Sequence, residues 1–316
     1  MAGMARNVAT VKRESRKFVK SLLSGSLMRV DLHSHSTASD GRLSPAELVR
    51  RAEVQQVALL ALTDHDTVAG LEEAHRTIAE ENLAVRLIDG IELSTSWDSI
   101  EIHVVGLHID ASHPAVREAI LQQAVAREER ARELDRRLEK QRISGAYAGA
   151  LALAQGATLT RAHFARFLVE QGHCSSQQKA FDHYLGRGAR AYVPHHWMSM
   201  AEAVAVIHAA GGQAVLAHPG RYKLSTKWLK RLLMLFVDVG GDAIEVSLPQ
   251  QSPHERANLG QWSREFGLKA SVGSDFHYPT PWQELGKNLW LPKDVDPVWH
   301  LFTDSQESIP FREELS

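Results

Sequence analysis

The sequence predicts an α/β fold, a closed or nearly closed β/α barrel with a helical insertion. From Met28 onward, short apolar runs alternate with longer segments of helical periodicity. Near-continuous apolar strands that alternate with helices are typical of a parallel sheet covered on both faces, and seven or eight such units favour a barrel. The predicted strands are Arg29–His33, Ala58–Thr63, Arg86–Ile91, Ile102–Leu107, Ala214–Ala217, Ala243–Val246, Lys269–Val272 and Leu289–Leu291.

Helix-start signals mark the segments between the strands. The segment Ser44–Gln55 opens with Ser44, Pro45 and Glu47. These are an N-cap, a proline in the first turn and a carboxylate near the positive end of the helix. The same pattern predicts helices over Met200–Ala210 and Pro253–Phe266.

Residues 112–193 interrupt the alternation, because they contain no convincing strand and begin with a long charged helix, Val116–Gln141. We predict a basic extension over 1–27, a discontinuous barrel over 28–111 and 194–300, a helical insertion over 112–193 and a C-terminal tail over 301–316. The extension is interpreted as a disordered tail or an upstream start, with a transit peptide as the alternative.

Composition limits the partners that the chain could bind. With 316 residues and a formal net charge of −2, it has no global field that would attract nucleic acid or an anionic membrane. No segment approaches the ~18 apolar residues needed to span a bilayer. The single cysteine, Cys174, excludes an internal disulfide and a thiolate metal site, which fits a reducing, cytoplasmic compartment. No obligate protein partner is indicated.

The motif from Asp31 to His35 carries the strongest chemical signal. Residues two apart on a strand share a face, so His33 and His35 point the same way at the end of the first strand. Asp40 returns from the following loop. Two imidazoles and a carboxylate at this place predict half of a metal site.

Ligand-type side chains recur at the other strands. Six strands each supply a histidine, aspartate or glutamate, five of them at the C-terminal edge where barrel active sites assemble. The predicted metal ligands are His33, His35, Asp40, His65, Glu92, His103, His218, Asp275 and His277. Asp64, Asp66 and Glu245 are interpreted as outer partners that orient ligand imidazoles, with a purely structural hydrogen bond as the alternative.

Nine ligands are too many for one ion and suit two or three ions that share a bridging carboxylate, for which we choose Glu92. Mixed nitrogen and oxygen donors favour Mn²⁺, with Fe²⁺ or Zn²⁺ as alternatives, over Mg²⁺ or Ca²⁺. Such ions activate water and neutralise a phosphoryl group. We assign catalytic roles to Asp40, His65 and Glu92.

The successive motifs DLHSHSTASDG, LTDHD, GIE, EIHVVG, VLAHPG and GSDFH resemble those of the PHP (polymerase and histidinol phosphatase) family. The resemblance implies a distorted seven-stranded β/α barrel, a trinuclear metal site and hydrolysis of phosphate esters. The insertion motifs LTRAHFARFLVE and YLGRGARAYVP, with AHPGRYKLSTKWLKRL, resemble a branch acting on RNA 5′ ends and 3′,5′-nucleoside bisphosphates. For that branch the resemblance implies 5′→3′ exoribonuclease activity, with release of the 5′ phosphate or 5′ nucleotide.

The insertion is expected to recognise the substrate. Arg127 and Arg130 lie three residues apart and share a helix face, and Arg161 lies near the start of another helix. Arginines can bind a second phosphate bidentately. For Arg127 and Arg130 a solvated, salt-bridged face is the alternative, because glutamates are interspersed.

Three other functions are consistent with parts of the pattern. One is a phosphatase of another small ester such as histidinol phosphate. A second is a metal-bound module without catalytic activity, which the full ligand set argues against. The third is a metal-dependent amide hydrolase, which the combination of AHP and SDFH with Asp40 and Glu92 disfavours.

Overall fold

A computed structural model of the chain describes residues 29–98, 100–194 and 196–302. The predicted extension over 1–27, and the tail from Thr303 onward, lie outside these ranges. The described strands are β1 (Arg29–Asp31), β2 (Val57–Leu62), β3 (Arg86–Trp97), β4 (Ile100–Leu107), β5 (Met198–Ser199), β6 (Gln213–Leu216), β7 (Ala243–Ser247) and β8 (Lys269–Val272).

Seven of these strands form a continuous sheet in the order β1-β2-β3-β4-β6-β7-β8, and β5 pairs with β3. The two ends of the sheet meet, because the Leu32 N–H donates to the Val272 carbonyl across 3.0 Å and Ser34 forms a parallel bridge with Phe276. One cluster of buried apolar side chains takes members from all seven strands and therefore fills the interior: Val30, Leu59, Ile88, Val105, Val215, Ala243 and Val272. The fold is an α/β barrel of seven strands.

The barrel departs from uniform parallel pairing at β4. This strand is antiparallel to both β3 and β6, whereas the other neighbours pair in parallel. Only residues 98 and 99 separate β3 from β4. A connection this short allows a hairpin but no helical crossover, so the expectation of uniformly parallel units was wrong here.

The run Leu289–Leu291, predicted as a strand, is irregular in the structure. Leu289 and Leu291 pack against the interior cluster, and the Trp290 N–H donates to Ser247 Oγ across 3.2 Å. The edge of β8 at Ala270 pairs instead with residues beyond this run, because the Ala270 N–H donates to the Asp296 carbonyl across 2.8 Å and Ala270 forms a bridge with Pro297. The short strand β5 was missed, since a two-residue strand carries no periodicity.

The described α-helices are α1 (Pro45–Val54), α2 (Leu71–Glu81), α3 (Pro114–Lys140), α4 (Ala146–Ala154), α5 (Arg161–Glu170), α6 (Gln177–Ala180), α7 (Met200–Ala209), α8 (Thr226–Asp238) and α9 (Pro253–Glu265). A serine capping box begins α1, α7 and α9, so the three predicted helix starts are confirmed. In the part of the chain that is described, no helix is long and apolar enough to cross a membrane.

Helices α3 to α6 occupy residues 112–193, a stretch that is described throughout and contains no strand. They share a hydrophobic cluster of their own, which includes Leu134, Leu138, Phe164, Leu168 and Leu185. Because this cluster draws no residue from the barrel strands, we propose to treat 112–193 as the insertion domain.

Candidate metal centre

The loop that follows β1 brings three of the predicted ligands together. His33 and His35 are fully buried, and Asp40 returns toward them at the end of a tight turn. Gly41 makes this return possible, because a Cβ atom at this position would lie 2.4 Å from the His35 carbonyl oxygen. Any larger residue would push Asp40 away from the imidazoles.

Asp64 holds the same loop in place. Its carboxylate accepts hydrogen bonds from the Ser36 N–H (2.8 Å), the Ser36 hydroxyl (2.7 Å) and the Ser39 hydroxyl (2.6 Å). Asp64 therefore orders the backbone that carries His35 and Asp40. It contacts no ligand imidazole through a described hydrogen bond, so its role is structural.

The remaining predicted ligands come from five strands or the turns that follow them: His65 after β2, Glu92 in β3, His103 in β4, His218 after β6, and Asp275 and His277 after β8. Two of these residues have left-handed backbones, with φ of 32° at His218 and 49° at Asp275. Such conformations are costly for residues with a side chain and concentrate at functional sites.

Glu92 lies at the middle of the imidazoles and is fully buried. Its Oε2 lies 3.2 Å from His33 Nε2, 3.3 Å from His35 Nε2 and 2.9 Å from His65 Nδ1. Its Oε1 lies 2.8 Å from His103 Nδ1 and 3.1 Å from His218 Nε2. One carboxylate thus faces five imidazoles, which is the position expected of a bridging ligand.

Two further carboxylates complete the cluster. Asp275 Oδ1 lies 3.1 Å from His35 Nε2 and 3.5 Å from His33 Nε2. Asp40 Oδ1 lies 3.2 Å from His277 Nε2 and 3.9 Å from His65 Nε2. The tertiary structure thus brings all nine predicted ligands into one cluster.

The cluster contains three overlapping groups whose donor atoms are close enough to share an ion. Within each group these atoms lie within 4.8 Å of one another. The groups are His35, Asp40, His65 and His277; His33, His35, Glu92 and Asp275; and His65, Glu92 and His103. Shared members make this arrangement a candidate multinuclear site.

The donor atoms have a hydrogen-bond deficit that divalent ions would relieve. Within the described ranges, six buried atoms of the cluster form no hydrogen bond: His33 Nε2, His35 Nδ1, Asp40 Oδ1, His65 Nδ1, Glu92 Oε2 and His218 Nδ1. Buried polar atoms without partners are costly and rare. Imidazole nitrogens and carboxylate oxygens are the donors that Mn²⁺, Fe²⁺ and Zn²⁺ accept. The residues present therefore fit the metal ions that the resemblance implies.

Charge within the cluster keeps its carboxylates ionised. Burial would raise the pKa of Glu92, but the positive charges of His65, His33 and His103 hold it well below its usual range. Burial would lower the pKa of His35, yet the neighbouring carboxylates of Asp275 and Glu92 raise it to about 10. Metal ions that bind here must displace protons from such imidazoles.

Glu245 orients two ligand residues from outside the cluster. Its Oε1 lies 2.7 Å from His33 Nδ1, and its Oε2 accepts a hydrogen bond of 2.5 Å from the His218 N–H. A carboxylate on the far nitrogen of an imidazole sets the tautomer and the ring direction. Of the three residues interpreted as outer partners, Glu245 contacts a ligand imidazole, whereas Asp64 and Asp66 bind other groups.

Asp66 anchors the insertion to the barrel. It accepts hydrogen bonds from Arg127 Nε (2.8 Å), Gln123 Nε2 (3.0 Å) and the Ser94 N–H (2.9 Å). Arg127 is thus bound next to His65 but points into a buried ion pair. Its guanidinium therefore has a carboxylate partner in this structure.

Arg130 and Arg161 share Glu101, which lies beside the cluster. Arg161 Nη2 donates to Glu101 Oε2 across 2.5 Å, and Arg130 Nη1 lies 3.4 Å from Glu101 Oε1. Glu101 Oε1 also lies 3.8 Å from His103 Nε2. Two guanidinium groups against one carboxylate leave a net positive charge at this end of the centre.

Four residues near the cluster were missed by the sequence interpretation. Arg42, Arg166, Arg221 and Tyr278 line a cavity of about 210 Å³ that also exposes Asp40, Asp275 and His277. Arg221 also donates a hydrogen bond to Asp275. Its position in the motif AHPGR, three residues after the ligand His218, was the available signal.

Known proteins are similar in sequence to most of this chain. It is 53% identical over 278 residues to the 5′-3′ exoribonuclease Rnm of Salmonella typhimurium, an alignment that covers 88% of this chain and 95% of the relative. It is 38% identical over 275 residues to the 3′,5′-nucleoside bisphosphate phosphatase of Chromobacterium violaceum, covering 86% and 96%.

A solved structure agrees with the barrel and its insertion. An amidohydrolase from Chromobacterium violaceum, determined with bound sulfate and no metal, superposes with a TM-score of 0.81 at 39% identity, over 86% of this chain and 94% of that one. The family model of the PHP domain matches residues 31–247, which include seven of the nine clustered residues. The chain therefore belongs to the PHP domain family.

Proposed function

We propose that the protein is a metal-dependent phosphoesterase that degrades RNA from its 5′ end and hydrolyses 3′,5′-nucleoside bisphosphates. The observation that carries this proposal is the cluster centred on Glu92, which consists of eight residues in shared donor groups and His218 in contact with Glu92, in a chain 53% identical to a 5′-3′ exoribonuclease. The bisphosphate activity is supported by the relative from Chromobacterium violaceum. The most direct readout is release of 5′ nucleotides.

We assign two to three divalent ions to the cluster, with Mn²⁺ as the best activator, because its donors mix imidazole and carboxylate. The proposed ligands are His33, His35, Asp40, His65, Glu92, His103, His218, Asp275 and His277. Such ions supply positive charge to phosphoryl oxygens and make water more acidic.

The protein's own groups divide the remaining work. Asp40 lines the open cavity, and we assign it proton exchange with the reacting oxygens. Glu92 has no exposed surface, so it acts by holding charge at the centre and does not touch substrate. His65, 12% exposed, closes the centre between Asp40 and Glu92.

We further propose that Arg161, with Arg130 and Arg127 behind it, recognises the second phosphate of the substrate. Arg161 is partly exposed and shares Glu101 with Arg130, so a phosphate could take the place of that carboxylate as its partner. The local cavity measures about 10 Å³, so the side chains must open to admit a phosphate. We place the enzyme in the cytoplasm, since one buried cysteine suits a reducing compartment.

The test compares three substrates under identical conditions with Mn²⁺: 3′,5′-bisphosphoadenosine, a 5′-monophosphorylated oligoribonucleotide and histidinol phosphate. We expect 5′-AMP from the first, successive 5′ nucleotides from the second, and little turnover of the third. The same oligonucleotide with a 5′ hydroxyl is the matched control. Efficient hydrolysis of histidinol phosphate alone would contradict the proposal.

A further inference from the structure

A cavity of about 210 Å³ opens directly beside the candidate metal centre and carries unneutralised cations. Its lining includes Asp40, Asp275 and His277 of the candidate centre, and also Arg42, Arg166 and Tyr278, which we call the Arg42–Arg166–Tyr278 wall. A phosphate ester whose reacting group lies at the centre must extend part of its structure into this space. The chemistry of the Arg42–Arg166–Tyr278 wall therefore indicates what that part of the substrate is.

Two of the arginines in this wall are available to an anion. Arg42 is exposed and Arg166 is half-buried, and neither forms an ion pair with any carboxylate of the described ranges. Two other arginines of the insertion differ from Arg166, because Arg127 is bound by Asp66 and Arg161 by Glu101. Cations without carboxylate partners beside a phosphoryl site suit a further backbone phosphate of a polyanionic chain.

The same wall offers a flat surface for a base. The guanidinium carbon of Arg42 lies 4.1 Å from the centroid of the Tyr278 ring. The backbone N–H of Arg42 donates to the backbone carbonyl of His277 across 2.8 Å. This bond fixes Arg42 and Tyr278 relative to the candidate ligand His277. Aromatic rings and guanidinium planes are the groups on which single-stranded RNA bases stack.

The two sides of the centre differ in the space that they leave. The cavity next to Arg161 measures about 10 Å³, whereas the cavity lined by Arg42 and Arg166, which also exposes Asp40, Asp275 and His277, holds about 210 Å³. A terminal 5′ phosphate needs only a small pocket that is closed at its far end. An RNA chain that continues beyond the scissile phosphate needs an open path.

Building on the function proposed above, we propose that the Arg42–Arg166–Tyr278 wall binds the nucleotide on the 3′ side of the scissile phosphate. Arg42 and Arg166 contact the next backbone phosphate, and Tyr278 stacks on the base. This wall would distinguish RNA from a bisphosphate, which has no nucleotide at this position. It is a specificity-determining surface and takes no part in bond cleavage.

The test measures kcat/KM of Arg42→Ala, Arg166→Ala and Tyr278→Leu on a 5′-monophosphorylated oligoribonucleotide and on 3′,5′-bisphosphoadenosine. Each arginine variant should lose about fivefold more on the oligonucleotide than on the bisphosphate, the size expected for one partly exposed ion pair. The slope of log kcat/KM against log salt should fall by roughly 0.7 per lost phosphate contact, on the oligonucleotide only. Without metal, the two arginine variants should also bind a fluorescent oligonucleotide more weakly than the metal-free wild-type protein does.

Arg264→Ala is the matched control. Arg264 is an exposed arginine at the C-terminal end of α9 that pairs with Asp294. Its loss should therefore leave kcat/KM unchanged on both substrates. An equal loss on both substrates, or no loss on either, in the Arg42 and Arg166 variants would overturn the inference. If wild-type protein hydrolysed neither substrate, the proposed function itself would fail, and oligonucleotide binding by the metal-free protein would still test the wall.

Discussion

Thr160, the N-cap of α5, donates its hydroxyl hydrogen to Asp40 Oδ2 across 2.8 Å. The same hydroxyl oxygen accepts a hydrogen bond from the Ala162 N–H at 3.1 Å. One side chain thus begins a helix of the insertion and holds a carboxylate of the candidate metal centre. The position of the insertion and the geometry of Asp40 are joined at this contact.

Replacing Thr160 should affect both the stability of the helix and the activity of the centre. Thr160→Val keeps the shape of the side chain but removes the hydroxyl, so we expect a loss of about 1 kcal/mol in stability. We also expect about a tenfold loss in kcat with Mn²⁺, because Asp40 loses its orienting donor. Thr160→Ser should restore both. Ser199→Ala removes the N-cap of α7, away from the centre, and should reduce stability alone.

Asp40→Asn and His65→Ala should abolish turnover and leave the fold largely intact. Both residues lie at the rim of the centre, so their loss changes charge and proton handling and removes little core volume. Steady-state kinetics and circular dichroism would measure the two effects. Near-wild-type kcat in either variant would show that the site assignment is wrong.

Gently purified protein should contain two to three transition-metal ions per chain, and Mn²⁺ should activate it best. The reason is the set of three overlapping donor groups. Elemental analysis gives the stoichiometry, and activity after chelation and re-addition of single metals gives the preference. One ion or none, with no rescue by Mn²⁺, would contradict this prediction.

Arg161→Ala should impair hydrolysis of a 3′,5′-bisphosphate far more than hydrolysis of a simple aryl phosphate. The cleaved phosphoryl group is bound at the centre in either substrate, whereas a second phosphate needs its own cation. A charge-assisted bond of roughly 1.5–3 kcal/mol corresponds to a loss of about tenfold or more in kcat/KM. An equal loss on both substrates would place Arg161 at the metal centre or in folding.

Stability should depend on pH through Glu284, which ties α1 to the loop after β8. Arg51 donates to both carboxylate oxygens of Glu284, at 2.8 Å and 2.5 Å. Burial would raise the pKa of Glu284, but the hydrogen bonds from Arg51 lower it below its usual 4.5. The contribution is therefore present above pH 4.5 and is lost as the pH falls through the lowered pKa.

Urea denaturation of Glu284→Gln would check this pH dependence. The variant should be less stable than wild type by about 1 kcal/mol at neutral pH, and the difference should shrink in acid. Glu81→Gln removes the exposed partner of Arg50 and is the control with little expected effect. A difference that stayed constant from neutral to acid pH would contradict the role of the ion pair.

The helix starts and the candidate metal ligands could be predicted from the sequence, because both depend on local chemistry. The capping boxes at Ser44, Ser199 and Ser252 begin helices because their hydrogen bonds reach only three residues along the chain. The ligand-type side chains were recognisable because strand ends gather at one edge of a barrel, whatever the details of packing.

The tertiary structure decided what depends on distant partners. The antiparallel direction of β4 follows from a short turn and its pairing with β6, and the barrel closes between Leu32 and Val272 without residues 289–291. The ion pair of Arg127 with Asp66 joins residues 61 positions apart. No local sequence pattern could therefore show that Arg127 has a carboxylate partner while Arg42 and Arg166 do not. A charge and a helix face are properties of the sequence, but whether a carboxylate already binds that charge is decided only where the folded chain brings the two together.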